Sequence, residues 1–281
     1  MFDLESWAAP RRDMLQQRMN ALFADAWPEP FRAMCLHSLQ TGGKRMRPLL
    51  TLAAFEAVNP GDPKHAIPAA LAIELVHTYS LVHDDMPCMD DDSERRGKPT
   101  THVLYGDDMA LLVGDALLTE AFRQLTDPGL PPELAIAQVR ELATSSGYLG
   151  MVGGQASDLG AGGPVTDVET LTRLHRGKTG GLIRCAVRMG AMAGGAKPIQ
   201  LQALTRFAEA VGLAFQLADD VLDAEEDAGS DGPPSFVKLM GVDGTQAKAR
   251  ELTAQARGSL EAVPQADALE ALALFTVERK I

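Results

Sequence analysis

Two clusters of aspartates are the residues in this sequence whose type and spacing could do chemistry. The first, between Asp84 and Asp92, holds five aspartates in nine residues, and the second is DDVLD at 219–223. Carboxylates this close repel one another, and at the end of an apolar helix they also oppose the helix dipole. A divalent cation would relieve both effects. Oxygen ligands without histidine or cysteine at zinc spacing favour Mg²⁺, which keeps several waters and completes its shell with substrate phosphates.

Helical geometry gives the second cluster a common face. Asp219 and Asp223 are four residues apart, about one turn, with Asp220 beside them and Gln216 on the same face. The alternative for either cluster alone is a solvated, acidic helix end. Two such ends on apolar helices favour the metal site.

The first cluster cannot be one regular helix, because Pro87 would clash with the carbonyl of the preceding turn. We therefore expect the chain to bulge there and to bring Asp90 back beside Asp84 and Asp85.

Three basic segments could bind phosphates. GGKRMRP at 42–48 is a glycine-led turn into a helix, RRGKPT at 95–100 follows the first aspartate cluster, and KTGG at 178–181 adds a lysine with a hydroxyl. His77 lies two helical turns before Asp84 and could bind a phosphate held near it. The alternatives are a capped helix start with solvated cations and a core histidine. The candidate contacts are Lys44, Arg47, His77, Arg95, Arg96, Lys178 and Thr179.

The fold predicted from periodicity is all-α, in a single domain over 1–281. Apolar residues recur at helical spacing, while strand-like alternation is missing. We expect helices over 3–23, 28–40, 46–58, 65–86, 101–126, 132–156, 167–175, 179–193, 199–223, 242–260 and 266–279.

Composition excludes several function classes. A net charge of −12 argues against nucleic-acid binding. Three cysteines without a CxxC pair fit a reducing compartment, so we expect a cytoplasmic location. No export signal is visible, and the apolar window 67–82 falls short of a bilayer span, so we expect no membrane insertion. Neither GxxxxGK[ST] nor a strand-linked GxGxxG occurs, which disfavours nucleotide kinases and dehydrogenases.

In this order, the two acidic clusters and three basic segments resemble the trans-isoprenyl diphosphate synthases, or polyprenyl synthetase family. The resemblance runs from about residue 38 onward, and it is specific in LVHDDMPCMDDDSERRGKPTTHVLYGDDMALLVGDALL and GLAFQLADDVLD. It implies an all-α bundle around a deep apolar cavity, usually a homodimer. It also implies that isopentenyl diphosphate is joined to an allylic diphosphate with two or three Mg²⁺ ions, for which Mn²⁺ could substitute.

The resemblance also implies roles for the candidate residues. The metal ligands would be Asp84, Asp85, Asp90, Asp219, Asp220 and Asp223. Isopentenyl diphosphate would be bound by Lys44, Arg47, His77 and Arg96, and the allylic diphosphate by Arg95, Lys178, Thr179 and Gln216. Ionisation of the allylic diphosphate would depend most on Asp84, Asp85, Asp219, Lys178 and Arg95.

Product length is expected to follow from Tyr79, about 7.5 Å of helix rise before Asp84. An aromatic there, with the Pro87-Cys88 insertion, resembles farnesyl-forming members of bacterial type. The alternatives are a geranylgeranyl diphosphate synthase, a non-catalytic partner subunit and a terpene cyclase; Lys44 and Arg47 argue against the cyclase, which needs no second diphosphate cradle.

One stretch departs from the family pattern. After Asp223 the family carries lysines that contact the allylic diphosphate, whereas residues 224–240 read AEEDAGSDGPPSFVKLM, with Pro233 or Pro234 near one expected lysine position. Lys238 is the single lysine of this stretch, and we expect it to be the candidate replacement.

Overall fold

The computed structural model describes residues 2–226 and 234–277, and helices dominate throughout them. The all-α prediction is confirmed. Two short strands, β1 (Glu94–Arg95) and β2 (Lys98–Pro99), pair antiparallel after the first aspartate cluster. The helices are α1 (Leu4–Asn20), α2 (Glu29–Gln40), α3 (Met46–Val58), α4 (Ile67–Asp84), α5 (Thr101–Tyr105), α6 (Asp107–Gln124), α7 (Pro132–Ser146), α8 (Met151–Asp158), α9 (Val168–Lys178), α10 (Gly180–Ala193), α11 (Pro198–Glu226), α12 (Phe236–Ser259) and α13 (Asp267–Val277).

Helix α4 lies at the centre of the bundle, packed against α3, α6 and α10. Its Ile73, Leu75 and Val76 have no exposed surface, and burying each such side chain contributes about 1.5–3 kcal/mol. Among the described residues, Pro63–Asp84 alone has the length and apolar composition to cross a membrane, and 72% of its most apolar window is buried inside the protein. The core therefore uses this apolar surface, and the helix carries Asp84 to the edge of a cavity.

Helices α3 and α10 approach closely because a glycine stands between them. A Cβ added at Gly190 of α10 would lie 2.0 Å from the carbonyl oxygen of Thr51 on α3. This contact sets the spacing of the two helices that flank α4.

Two helices expected to be continuous are interrupted. The helix predicted over 101–126 is divided at Gly106, whose φ of 90° leaves helical geometry between α5 and α6. The helix predicted over 132–156 is divided between α7 and α8, where a Cβ on Gly150 would lie 1.9 Å from the Ser145 carbonyl oxygen. Both expectations were wrong because a continuous apolar pattern does not show a glycine that the backbone uses as a turn.

Helix α12 begins earlier than predicted, at Phe236 rather than at 242. Ser235 caps it by accepting the backbone N–H of Lys238 at 3.2 Å. Gly241, with a φ of 73°, interrupts the helical geometry one turn later, which explains why the regular pattern starts only after it. Residues 227–233, between the helices predicted over 199–223 and 242–260, and residues 278–279 of the last predicted helix lie outside the described residues.

Candidate active site

The first aspartate cluster lies at the end of α4 and folds back on it, as Pro87 predicts. The helix ends at Asp84, and the backbone N–H of Asp90 donates to the Asp84 carbonyl oxygen at 2.8 Å. The bulge thus returns Asp90 to the helix end.

The Asp84 carboxylate lies at the rim of an apolar cavity. Gln155 of α8 donates its Nε2–H to Asp84 Oδ1 at 3.1 Å. Burial raises the pKa of Asp84 to about 6; Lys178 and Arg95 oppose the rise, and Asp90 and Asp85 add to it. A carboxyl in this environment is stabilised as an anion by a nearby positive charge.

Asp85 points to a different partner from its neighbour. The residue is 4% exposed, and its Oδ1 accepts a hydrogen bond from Arg95 Nε at 2.5 Å. Arg95 also donates from Nη2 to Asp92 at 2.9 Å. Burial raises the pKa of Asp85, and the bond to Arg95 opposes that rise. Asp85 therefore holds Arg95 and the β1–β2 hairpin against the end of α4, and its predicted role as a metal ligand stays a prediction.

The second aspartate cluster lies near the end of α11, and its members have different surroundings. Asp219 lines a large cavity whose wall also carries a lysine and several arginines, called the polar cavity below. Asp223 is exposed. Asp220 Oδ2 accepts the backbone N–H of Phe236, the first residue of α12, at 2.6 Å. Burial raises the pKa of Asp220 to about 6; this N–H opposes the rise, and Asp223 adds to it.

The donor set of the two clusters fits Mg²⁺ completed by other oxygens. Within residues 2–226 and 234–277, no three His, Cys, Asp or Glu side chains are close enough to enclose an ion. The carboxylates do, however, have raised pKa values in both clusters, which a cation would counteract. Mg²⁺ typically takes one or two carboxylates plus waters and substrate phosphates. One or two carboxylates from each cluster are enough for this mode of binding, and the predicted ligands stay a prediction.

All the predicted phosphate-binding side chains except Lys178 line one cavity of about 840 Å³. Gly43, with a φ of 115°, leaves room for a guanidinium: a Cβ there would lie 2.3 Å from Arg96 Nη1, and this atom donates to the Gly42 carbonyl at 2.5 Å. In the described structure Arg47 Nε is buried without a hydrogen-bond partner, so a buried donor is left for an anion. The predicted residues lining this cavity are Lys44, Arg47, His77, Arg95, Arg96, Thr179, Gln216 and Asp219.

His77 is a neutral member of this cationic wall. Burial is the main cause that lowers its pKa well below the usual value, and Arg47, Arg96, Arg45 and Arg95 lower it further. A neutral imidazole offers one donor and one acceptor, so His77 can orient a diphosphate without adding charge.

An apolar cavity of about 500 Å³ continues from the polar one, and Arg47, His77, Leu81 and Thr179 line both. Asp84 and Lys178 lie on its lining, together with Tyr79, Met86, Met89, Leu111, Met151, Val152 and Leu182. Tyr79 is 8% exposed, and its ring meets His83 edge-on at 5.7 Å. The predicted chain-length residue therefore lies in an apolar wall below Asp84.

Sequence reasoning missed two residues on α8. Gln155 bonds Asp84, and Asp158 forms an ion pair with Lys178. They are three residues apart on one helix face. The sequence signal for this contact was Gly154 on the same helix. The structure shows why a glycine stands there: a Cβ would lie 2.3 Å from the Lys178 backbone nitrogen. The two side chains set Asp84 and Lys178 beside each other.

The stretch that departs from the family pattern is described in part. Residues 227–233, including Pro233, lie outside the described structure. Lys238 stands in the first turn of α12, which Asp220 holds through Phe236. A role for Lys238 at the diphosphate stays a prediction.

The all-α bundle, with acidic ends on two helices beside a cavity lined by cations, is the arrangement that the resemblance to the polyprenyl synthetases implies. The Polyprenyl synthetase family model matches residues 28–271, and the chain belongs to this family.

Individual relatives are named for different products. Farnesyl diphosphate synthase of Escherichia coli (strain K12) is 44% identical over 257 residues, 85% of each chain. The chloroplastic geranylgeranyl pyrophosphate synthase of Capsicum annuum is 41% identical over 251 residues, 85% of this chain and 68% of that one. The apo crystal structure of an FPP/GFPP synthase from Zymomonas mobilis superposes with a TM-score of 0.86 at 37% identity, covering 96% of this chain and 98% of that one.

The family and these relatives support a trans-prenyltransferase that makes a prenyl diphosphate. Because farnesyl and geranylgeranyl synthases match at similar identity, product length has to be argued from the cavity.

Proposed function

We propose that this chain condenses isopentenyl diphosphate with dimethylallyl or geranyl diphosphate and releases farnesyl diphosphate. The observation that carries this proposal is the apolar cavity that starts at Asp84 and Lys178 and has Tyr79 in its wall. Its volume of about 500 Å³ and the aromatic ring in its wall suit an isoprenoid chain of limited length.

The allylic diphosphate is bound between the two aspartate clusters, where Arg95, Lys178, Thr179 and Gln216 contact its phosphates. Mg²⁺, when bound, would be held by Asp84, Asp90 and Asp219, with the further predicted ligands Asp85, Asp220 and Asp223, and it would supply a Lewis acid for the leaving diphosphate. The cationic side chains are already in place where negative charge develops as the carbon–oxygen bond breaks.

Isopentenyl diphosphate is bound on the other side of the polar cavity by Lys44, Arg47, His77 and Arg96. Its double bond attacks the allylic cation and forms the new carbon–carbon bond. A proton then leaves the adjacent carbon and goes to the released diphosphate, so the reaction needs no protein base. The apolar walls exclude water, which would otherwise capture the cation.

The direct test is product analysis. Purified protein is incubated with Mg²⁺, isopentenyl diphosphate and dimethylallyl or geranyl diphosphate, and the products are identified by mass spectrometry. We expect a C15 diphosphate as the main product. A protein that is folded but forms no prenyl diphosphate, while a known synthase does so in parallel, would contradict the proposal.

A geranylgeranyl diphosphate synthase is the second candidate, favoured by three methionines in the cavity lining. Met86, Met89 and Met151 have flexible side chains that adapt to a longer chain. A dominant C20 product in the same assay would select this candidate.

We also expect a cytoplasmic homodimer without nucleic-acid or membrane partners. Support for a covered face comes from large apolar side chains that are exposed on α6 and the α7–α8 turn: Leu112, Tyr148 and Leu149. Analytical ultracentrifugation at micromolar concentration measures the oligomeric state, and a monomer would contradict the expectation.

A further inference from the structure

The middle cation of GGKRMRP differs from its neighbours. Lys44 is exposed, and Arg47 presents a buried nitrogen that lacks a hydrogen-bond partner in the described structure. Arg45 is 5% exposed, and its guanidinium makes three hydrogen bonds to protein groups. Its Nη1 donates to Glu74 Oε1 at 2.6 Å, and its Nη2 donates to Gln16 at 3.0 Å and to the Leu39 carbonyl. Arg45 therefore cannot turn toward a substrate without breaking these bonds.

The backbone of Arg45 is held in a left-handed conformation, with φ 52° and ψ 37°. Outside glycine this conformation costs about 1–2 kcal/mol, and it persists only where the surroundings fix it. Arg45 is the N-cap residue of α3, and its carbonyl accepts the Leu49 N–H at 3.0 Å. The turn thus sets the directions of Lys44, just before it, and of Arg47, in the first turn of α3.

Glu74 is the anchor of this turn on the central helix. It is 3% exposed and lines the polar cavity. It lies three residues before His77, on the same face of α4. Its charge raises the pKa values of Arg47 and Arg96, against the larger lowering caused by burial. One buried carboxylate therefore stands among several cations that would otherwise repel one another.

We propose that the buried Arg45–Glu74 pair is a positioning device for the isopentenyl diphosphate cradle: it binds no substrate and fixes the Gly42–Arg47 turn so that Lys44 and Arg47 face the cavity. This assignment rests on the proposed function. The sign of the effect distinguishes the device from simple electrostatics. If Glu74 acted through its charge alone, removing that charge would strengthen anion binding. Loss of a positioning contact weakens it instead.

The test uses Glu74→Gln, which keeps the size of the side chain and removes its charge. A buried charge that has lost its partner is strongly unfavourable, so Arg45 shifts and the turn with it. We expect isopentenyl diphosphate alone, titrated by calorimetry, to bind about tenfold more weakly, because small misplacements of binding groups have large effects. In turnover, the KM for isopentenyl diphosphate should rise by a similar factor, while the KM for geranyl diphosphate changes less than about twofold.

The matched control is Glu56→Gln on the same helix α3 as the turn. Glu56 accepts two hydrogen bonds from Arg11 of α1, at 2.9 and 2.7 Å. It lies about two and a half helical turns after Arg47, toward the other end of α3. This variant should lower the melting temperature and leave both KM values as in the wild type. If Glu74 had a merely structural role, Glu74→Gln would likewise lower the melting temperature and leave both KM values unchanged.

The outcomes are separable. A folded Glu74→Gln protein that binds isopentenyl diphosphate as tightly as the wild type, or more tightly, overturns the inference. If Glu74→Gln does not fold, Arg45→Lys decides: it keeps the charge but cannot reach Glu74, Gln16 and Leu39 together, and we expect about threefold weaker binding. Unchanged binding by a folded Arg45→Lys would then overturn it. Failure of the wild type to bind isopentenyl diphosphate or to turn over would instead contradict the proposed function.

Discussion

The carboxylate of Asp84 should destabilise the metal-free protein at neutral pH, so we predict that Asp84→Asn is more stable than the wild type while being inactive. The pKa of Asp84 rises from 3.8 to about 6, with burial as the main cause. A group whose pKa is raised on folding stabilises the protein fully below its unfolded pKa, and this contribution is lost as the pH rises through the folded pKa. The loss therefore falls between pH 3.8 and about 6.

The magnitude follows from that difference. About two pKa units correspond to about 3 kcal/mol. Asp84 keeps part of its solvent contact, so screening reduces this to about 1–2 kcal/mol. Asparagine keeps an oxygen that can accept from Gln155, 3.1 Å from Asp84 Oδ1 in the wild type, and it carries no charge.

The assay is urea unfolding in EDTA at pH 5 and pH 7.5. We expect Asp84→Asn to gain about 1–2 kcal/mol at pH 7.5, or about 2–5 °C in melting temperature, and about half of that gain at pH 5, which lies between the unfolded pKa of 3.8 and the folded pKa of about 6. Asp13→Asn, on the exposed side of α1, is the matched control and should change little at either pH. A variant that is less stable than the wild type at pH 7.5, or whose gain does not depend on pH, would refute the electrostatic reasoning.

Two further predictions concern the cavity and the core. Tyr79→Ala removes the ring from the apolar wall, so the main product analysed by mass spectrometry should be one C5 unit longer than that of the wild type. Tyr79→Phe keeps the ring and should keep the product. An unchanged product from Tyr79→Ala would contradict the role of this ring in limiting product length. Gly190→Ala places a Cβ 2.0 Å from the Thr51 carbonyl oxygen and should lower the free energy of unfolding by about 2–3 kcal/mol. Gly258→Ala meets open space in α12 and should raise it by up to about 1 kcal/mol, so equal effects of the two alanines would contradict the close α3–α10 contact.

The sequence was sufficient for those parts of the site that local spacing determines. The i, i+4 relation predicted a shared helix face for Asp219 and Asp223, and Pro87 predicted the bulge that returns Asp90 to Asp84. The glycine pair before Lys44 predicted a turn into a helix, and α3 begins just after it, at Met46. These features depend on residues that are neighbours in the chain.

Contacts between distant segments could not be read in the same way. Glu74 lies inside an apolar run and gave no sign of its bond to Arg45, which is 29 residues earlier. Gln155 reaches Asp84 across 71 residues, and it sits on a short helix whose boundaries the apolar pattern concealed. Such partners follow from how the helices pack, so they became visible only with the fold.

The two aspartate clusters have the same internal arrangement. In each, the first carboxylate lines a cavity, Asp84 in one and Asp219 in the other. The second is bonded to the segment that follows the helix: Asp85 to Arg95 of the hairpin, and Asp220 to the N–H of Phe236.

Helix geometry explains why one member of each pair takes each task. Successive side chains on a helix point about 100° apart, so two adjacent carboxylates at a helix end face different surroundings. The one toward the cavity is the predicted ligand for a metal, while its neighbour keeps the next segment docked. For Asp85 or Asp220 to bind metal as well, it would have to use its remaining oxygen or release Arg95 or Phe236. Each pair of aspartates thus meets two requirements: one carboxylate carries charge toward the cavity, and the other attaches the segment that follows the helix. A single aspartate at either position would meet only one of them.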